Sequence, residues 1–249
     1  MENQSGRIEG RNAVMEAYRA GRTVEKLYVQ EHLTDGPVRS ILREAKKAGT
    51  VVSFVTKERL GEMSSTGHHQ GVIADVSAFA YAEVDEILAL AEERGEPPFL
   101  VLLDGIEDPH NLGAIIRTAC QAGAHGVIVI VTKRRSAGLT ATVVRATAGA
   151  LMHVPVAKVT NLARTMEDLK KKGMWFVCAD MDGTRMYDLD FTGPLGLVVG
   201  NEGAGVSRLV KEHCDYTARV PMTGRIDSLN ASVAAAVLLY EAVRQRGVL

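Results

Sequence analysis

Residues Leu195–Arg246, LGLVVGNEGAGVSRLVKEHCDYTARVPMTGRIDSLNASVAAAVLLYEAVRQR, decide the fold. The apolar run Leu195–Val199 reads as a strand and ends in the glycine-rich turn Gly200-Asn201-Glu202-Gly203-Ala204-Gly205. Ser207 is then typed to cap a short helix running to Cys214. A second short strand, Tyr216–Val220, leads into Pro221-Met222-Thr223-Gly224, and Ser228 is placed to open the last helix. Two strands whose C-terminal ends both run into glycine-bearing loops before helices describe the rim of an open α/β sheet, where ligands bind. A pocket is expected there.

Working outward, Phe99–Leu103 is another continuous apolar run, the pattern of a strand covered on both faces. It is followed by Asp104-Gly105-Ile106-Glu107-Asp108-Pro109-His110, with Asn111 typed as the cap of a helix over Leu112–Ala122. Val127–Val131 reads as a strand, then come the basic loop Lys133-Arg134-Arg135, a helix around Ala141–Ala150, a helix over Asn161–Lys172 and a strand over Trp175–Ala179. Strands alternating with helices predict a mostly parallel sheet with helices on both faces. Upstream, Glu9–Ala20 reads as a helix, Val24–Val29 as a strand, Pro37–Lys47 as a helix, Val51–Val55 as a strand and Gly71–Val76 as a further apolar run. The expected organisation is a small α/β domain over residues 1–76, a linker over 77–82 and a larger α/β domain over 83–249.

Composition narrows the class of protein. A chain of 249 residues with 46% hydrophobic content can bury a real core, and its net charge of -1 leaves any polyanion contact to local basic patches. Three cysteines without CxxC spacing argue against a disulfide framework and against a cysteine zinc site. His68-His69 has no third ligand nearby, so no metal is expected. The opening MENQSGRIEG lacks the apolar core of a signal peptide, and the apolar run Ala231–Tyr240 is shorter than the roughly 20 residues a membrane span needs. A soluble cytoplasmic protein is expected.

The glycines do not spell a phosphate cradle. From Gly203 a GxGxxG would need glycine at position 208, which is Arg208, and a P-loop would need lysine where Val206 stands. What remains is a pocket of backbone and small side chains, with Glu202, Ser228 and Asn230 as polar groups and Asn111 and Arg117 available from the neighbouring helix. Each has a plain structural alternative: Arg117 as a solvated helix residue, Asn111 and Ser228 as caps, Glu202 as a solvated loop residue.

Three blocks taken together change that balance. Asn111-Leu112-Gly113-Ala114-Ile115-Ile116-Arg117-Thr118-Ala119, Gly200–Gly205, and Pro221-Met222-Thr223-Gly224 with Ser228-Leu229-Asn230-Ala231-Ser232 resemble, in order and spacing, the three motifs of the SpoU (TrmH-type) RNA ribose methyltransferases. The likeness covers roughly residues 99 to 246. Asp108-Pro109-His110-Asn111, Arg135-Ser136-Ala137 and Thr160–Thr165 look like the branch that 2'-O-methylates a guanosine in large-subunit (23S) ribosomal RNA. Glu9-Gly10-Arg11-Asn12-Ala13-Val14 and His69-Gln70-Gly71-Val72 are similar to that branch's N-terminal RNA-binding domain.

The resemblance implies a parallel SPOUT sheet whose C-terminal segment forms a trefoil knot, a rarity among folds. It implies S-adenosylmethionine in the knot, with Gly200, Val220 and Leu229 as cofactor positions, and a homodimer in which one subunit's arginine meets the other's cofactor. Arg117, Asn111, Glu202, Ser228 and Asn230 match the catalytic positions, and ribosomal RNA is the implied partner, with Arg11, Asn12, Arg134 and Arg135 as its contacts. Transfer RNA or another ribosomal nucleotide is the alternative substrate, and a non-catalytic RNA-binding module the remaining one. Two positions depart from the family pattern: Ala231, where valine is common, and Asn201, where serine is common.

Overall fold

The computed structural model describes residues 6–77, 79–130, 138–225 and 228–247. The chain divides into two compact units. Among the described residues, one takes in those up to Ala80 together with Gly138–Val144, and the other takes in Tyr81–Ile130 and Arg145–Gly247.

The first unit runs β1 (Gly6–Glu9), α1 (Arg11–Arg19), β2 (Val24–Gln30), α2 (Gly36–Lys47), β3 (Val51–Val55), α3 (Lys57–Met63) and β4 (Val72–Val76). Its four strands lie in the order β1-β4-β2-β3, with β4 antiparallel to both neighbours and β2 parallel to β3. Val14 and Ala17 of α1 and Val38, Ile41 and Ala45 of α2 pack on Leu27, Val29, Val72 and Ala74 to make its core. The helix expected over Glu9–Ala20 begins at Arg11 instead, because Glu9 belongs to β1 and Gly10, at φ 90°, turns the chain between them. Residues 138–144 join this unit through the buried Glu25, whose Oε1 accepts the Leu139 N–H at 3.2 Å.

The second unit runs α4 (Val84–Arg94), β5 (Phe99–Asp104), α5 (Pro109–Gln121), β6 (Gly126–Ile130), α6 (Ala141–Ala146, which begins in the first unit), β7 (Val156–Val159), α7 (Leu162–Lys171), β8 (Trp175–Arg185), β9 (Leu195–Gly200), α8 (Arg208–Glu212), β10 (Tyr216–Arg219) and α9 (Ala231–Arg246). Six strands form one sheet, ordered β10-β8-β9-β5-β6-β7, and every pairing among the described residues is parallel. The uninterrupted apolar strands are the central ones: all of β9 and all but the last residue of β5 are buried, as a doubly covered sheet requires. The α/β class with a parallel sheet is therefore as expected. From β5 the chain first builds outward through β6 and β7, then crosses to β8 on the other side, which puts the topological switch between β5 and β9.

Three capping assignments differ from expectation. Asp108, not Asn111, caps α5: its side chain accepts the His110 N–H at 3.0 Å and Pro109 occupies the first turn. Asn230, not Ser228, caps α9, accepting from the N–H groups of Ser232 at 3.0 Å and Val233 at 3.3 Å. Ser207 stands at the start of α8, which ends at Glu212, but makes no side-chain cap bond there; its own N–H is instead taken by Asp104 Oδ2 at 2.7 Å. The strand expected to end at Ala179 continues to Arg185.

Candidate active site

The C-terminal ends of β8, β9 and β10 open into one cavity of about 270 Å³, close to the lower end of ligand-pocket volumes, roughly 300–1,000 Å³. Its wall is built from Ala179–Met181, Val199–Gly205, Ala218, Val220 and Met222, and the start of the last helix closes it with Ser228, Leu229, Ala231, Ala234 and Leu238. Gly200, Val220 and Leu229, expected to hold a cofactor, all line it. Gly200 has no room for a side chain: a Cβ there would stand 2.1 Å from the Gly205 carbonyl carbon, so the loop folds back directly over the strand end. Asn201 fastens that fold. Its Nδ2 donates to the Gly105 carbonyl at 3.1 Å and its Oδ1 accepts the Gly203 N–H at 2.8 Å, while the backbones of Asn201 and Gly205 bond to each other in both directions. Asparagine in place of serine thus has a structural use at this position.

At the cavity's edge three distant segments share one polar cluster. Because Asp108 does the capping, the Asn111 side chain, buried within α5, is free to donate from Nδ2 to Glu202 Oε1 at 2.8 Å. Asn230 Nδ2 donates to Asn111 Oδ1 at 3.0 Å and also to Glu202 Oε1, and the Ala231 N–H reaches the same oxygen at 3.3 Å. One carboxylate oxygen is therefore saturated by three donors, whereas no described residue bonds Oε2. Of the two carboxylates of the cavity wall, Asp180 is paired with Lys211 at 2.7 Å, whereas Glu202 is paired with no lysine, arginine or histidine among the described residues. Such a wall favours a ligand that carries positive charge.

Other expected residues lie apart from this cluster. Arg117 is exposed on α5 and is not part of the cavity wall. Ser228 lines the cavity but is exposed. In the first unit, Asn12 is exposed, while Arg11 is already engaged: its Nε donates to the Gln70 carbonyl at 3.0 Å and its Nη2 lies 2.7 Å from Asp35 Oδ2. Arg134 and Arg135 fall outside the described residues. The sequence reading missed Asp180 and Met181, because it ended β8 at Ala179, six residues too early, and Asp104, whose role is visible only through its bond to the Ser207 N–H. Among the described residues no three metal-binding side chains come together and no helix is long and apolar enough to cross a membrane.

A doubly covered parallel sheet with a glycine-walled cavity at the strand ends is the architecture of an α/β protein that binds a small ligand at the rim of its sheet. Comparison with known proteins makes the class specific. Residues 98–240 match the SpoU rRNA methylase family and residues 7–82 match the RNA 2'-O ribose methyltransferase substrate-binding family. A Bacillus subtilis protein, YacO, named for the TrmH family of tRNA/rRNA methyltransferases, is 47% identical over 247 residues, covering 99% of this chain and 98% of that one. A Staphylococcus haemolyticus protein of the same designation is 44% identical over 240 residues, 96% of this chain and 95% of the other. Among solved structures, the SpoU methyltransferase AviRb of Streptomyces viridochromogenes in complex with AdoMet superposes with a TM-score of 0.62 at 30% identity, over 98% of this chain and 91% of that one. An AdoMet-bound rRNA methyltransferase from Sinorhizobium meliloti does so with 0.60 at 27% identity, over 98% and 88%. The chain belongs to the SpoU rRNA methylase family, and it is an S-adenosylmethionine-dependent RNA 2'-O-methyltransferase.

Proposed function

We propose that this enzyme methylates the ribose of a guanosine in large-subunit ribosomal RNA, with residues 1–76 holding the RNA, 77–82 linking, and 83–249 carrying the chemistry as a knotted homodimer. The observation that carries the site is the Asn111–Glu202–Asn230 cluster on the rim of the cavity walled by Gly200, Val220 and Leu229. The cavity fits the cofactor in charge, since the Glu202 carboxylate on its wall is paired with no cation among the described residues. When bound, S-adenosylmethionine supplies an electrophilic methyl group on a positively charged sulfur.

The protein's own residues then have three tasks. The first is alignment: Asn111 and Asn230 fix the Glu202 carboxylate against the cavity, so that the ribose oxygen approaches along one direction, and orientation of this kind is worth on the order of 7 kcal/mol or more. The second is charge. Arg117 carries a guanidinium, which has hydrogen-bond donors and no acceptor, and is suited to stabilise the developing alkoxide while the hydroxyl proton passes to solvent water. Its exposure outside the cavity wall supports delivery to the cavity of a second copy. The third is recognition, assigned to Arg11 and Asn12 of the first unit with Arg134 and Arg135, while Ser228 contributes a hydroxyl at the cavity mouth.

A partner copy also has a surface to sit on. Val233 and Tyr240 stand 47% and 51% exposed along α9, and Leu229 just before it 37%, an apolar stripe that a lone subunit would leave in water. Mapping 2'-O-methyl groups in RNA from cells with and without the gene tests the substrate. A guanosine mark lost from large-subunit RNA is the expected result; a mark lost only from transfer RNA replaces the ribosomal assignment with the alternative substrate.

A further inference from the structure

Strand β8 leaves the sheet where it reaches the cavity. Its partner on β10 advances by a single step, from Thr217 to Ala218, while β8 passes from Cys178 to Thr184, so Ala179–Gly183 stand out of the ladder as a large bulge. Bulges of this kind re-aim side chains beside active sites. Gly183 lets the strand rejoin: a Cβ there would stand 2.5 Å from the Thr217 carbonyl oxygen. The excursion delivers Ala179, Asp180 and Met181 to the cavity wall.

Asp180 is held at two points. Its Oδ2 receives Lys211 Nζ from α8 at 2.7 Å and its Oδ1 the Asp182 N–H at 3.1 Å, with the carboxylate side chain 23% exposed. The Lys211 hydrogen bond keeps the carboxyl below its usual range. Of about four acceptor positions on a carboxylate, the hydrogen bonds from Lys211 and Asp182 take two, and the described residues leave the others open. The other wall carboxylate, Glu202, has only amide and backbone donors among the described residues and keeps its charge uncompensated. The two are therefore suited to different ligand groups. Uncompensated Glu202 suits a cation, whereas Asp180, neutralised by Lys211, suits uncharged hydroxyl donors, as an acidic residue does in dinucleotide-binding sheets.

We infer that Asp180, positioned by Lys211 on the β8 bulge, is the group that binds the ribose hydroxyls of the cofactor. The inference rests on the cofactor occupying this cavity. Calorimetry with S-adenosylhomocysteine and its 2'-deoxy and 3'-deoxy analogues tests it on the parent protein and on the Asp180→Ala, Asp180→Asn and Lys211→Met variants, with melting curves confirming that each is folded. At least one deoxy analogue should bind the parent roughly 10- to 100-fold more weakly than S-adenosylhomocysteine, the range of a hydrogen bond to a charged group. On Asp180→Ala the same deletion should cost less than about 2-fold, because its partner is gone. Asp180→Asn, which keeps one acceptor, and Lys211→Met, which keeps the carboxylate but frees it to swing, should fall between. A parent that binds S-adenosylhomocysteine but loses nothing with either deoxy analogue overturns the inference alone, as does an Asp180→Ala variant that still discriminates fully. A parent that binds no S-adenosylhomocysteine overturns the cavity assignment and the inference with it.

Discussion

Asn230 and Asn111 lie 119 residues apart in sequence and are joined by a hydrogen bond of 3.0 Å from Nδ2 to Oδ1, while the other end of the Asn230 amide caps α9. One side chain thus sets both the start of the last helix and the position of Glu202.

The two duties separate by substitution. Asn230→Ser keeps a good capping oxygen but has no reach to Asn111 or Glu202, so stability should fall by about 1 kcal/mol or less while methyl transfer falls at least tenfold. Asn230→Asp keeps the cap but sets a second carboxylate against Glu202, and should lose roughly 1–3 kcal/mol as well as activity. Denaturant melts and methyl transfer to RNA give the two readings. Parental turnover in Asn230→Ser would remove the cluster from the catalytic account.

Arg117 and Glu202 are predicted to act from different subunits. Arg117→Ala and Glu202→Ala should each be inactive alone, yet co-refolded mixtures should recover activity, since a heterodimer assembles one site with both wild-type residues. Random pairing makes half the dimers mixed, each with one of two sites intact, so about a quarter of parental activity is expected. Arg117→Lys keeps the charge but loses the forked geometry and should remain well below parent. Mixtures no more active than their components would place both residues in one subunit's site.

The stripe on α9 should be the pairing surface. Val233→Glu and Tyr240→Glu place charge at positions 47% and 51% exposed in the single chain, so folding should tolerate them. In a paired stripe the same charges would be desolvated, at a cost of several kcal/mol. Sedimentation should show a dimer for the parent and a monomer with an intact melting transition for Val233→Glu. A variant that remains dimeric moves the interface elsewhere.

How much of this was legible in the sequence depended on how strongly each element was patterned. β5 and β9 announced themselves because central strands of a parallel sheet are apolar without interruption. Short elements gave no such signal: GRIE of β1 and VAKV of β7 are four residues each, and α3 buries only Leu60. β8 was cut short because Met181-Asp182-Gly183-Thr184-Arg185 is polar, yet it continues as a bulged extension along the cavity. The caps failed for a different reason. Asp108 and Asn111, like Ser228 and Asn230, are equally well typed, and only the tertiary partner of the spare side chain chooses between them. Contacts across 91 and 119 residues have no periodicity at all, so the cluster was reachable only through the joint resemblance of three motifs.

The first unit carries a pH-dependent prediction. Glu9, at the end of β1, accepts from the Ser65 N–H at 2.7 Å, Ser65 Oγ at 2.9 Å, Thr66 Oγ1 at 2.7 Å and Ser64 Oγ, which folds the Ser64–Thr66 loop around its carboxylate. Desolvation is the largest single influence and raises its pKa, but the hydrogen bonds from Ser64, Thr66 and Ser65 together outweigh it and hold the carboxyl at about 2 instead of 4.5. A depressed carboxyl stabilises the fold in full above its unfolded pKa, and that contribution drains away as the pH falls through the folded one. The loop should therefore be at full strength above pH 4.5 and loosen on the way down to about pH 2. The Ser65 amide resonance, followed by NMR, should titrate with a midpoint near the lower value, and Glu9→Gln should abolish that transition. At neutral pH Glu9→Gln should raise KM for RNA while leaving kcat near parental, since the same loop leads to Gln70, which holds Arg11. A Ser65 midpoint at the ordinary carboxyl value, or a Glu9→Gln variant with unchanged KM, would show that the carboxylate does not organise this surface.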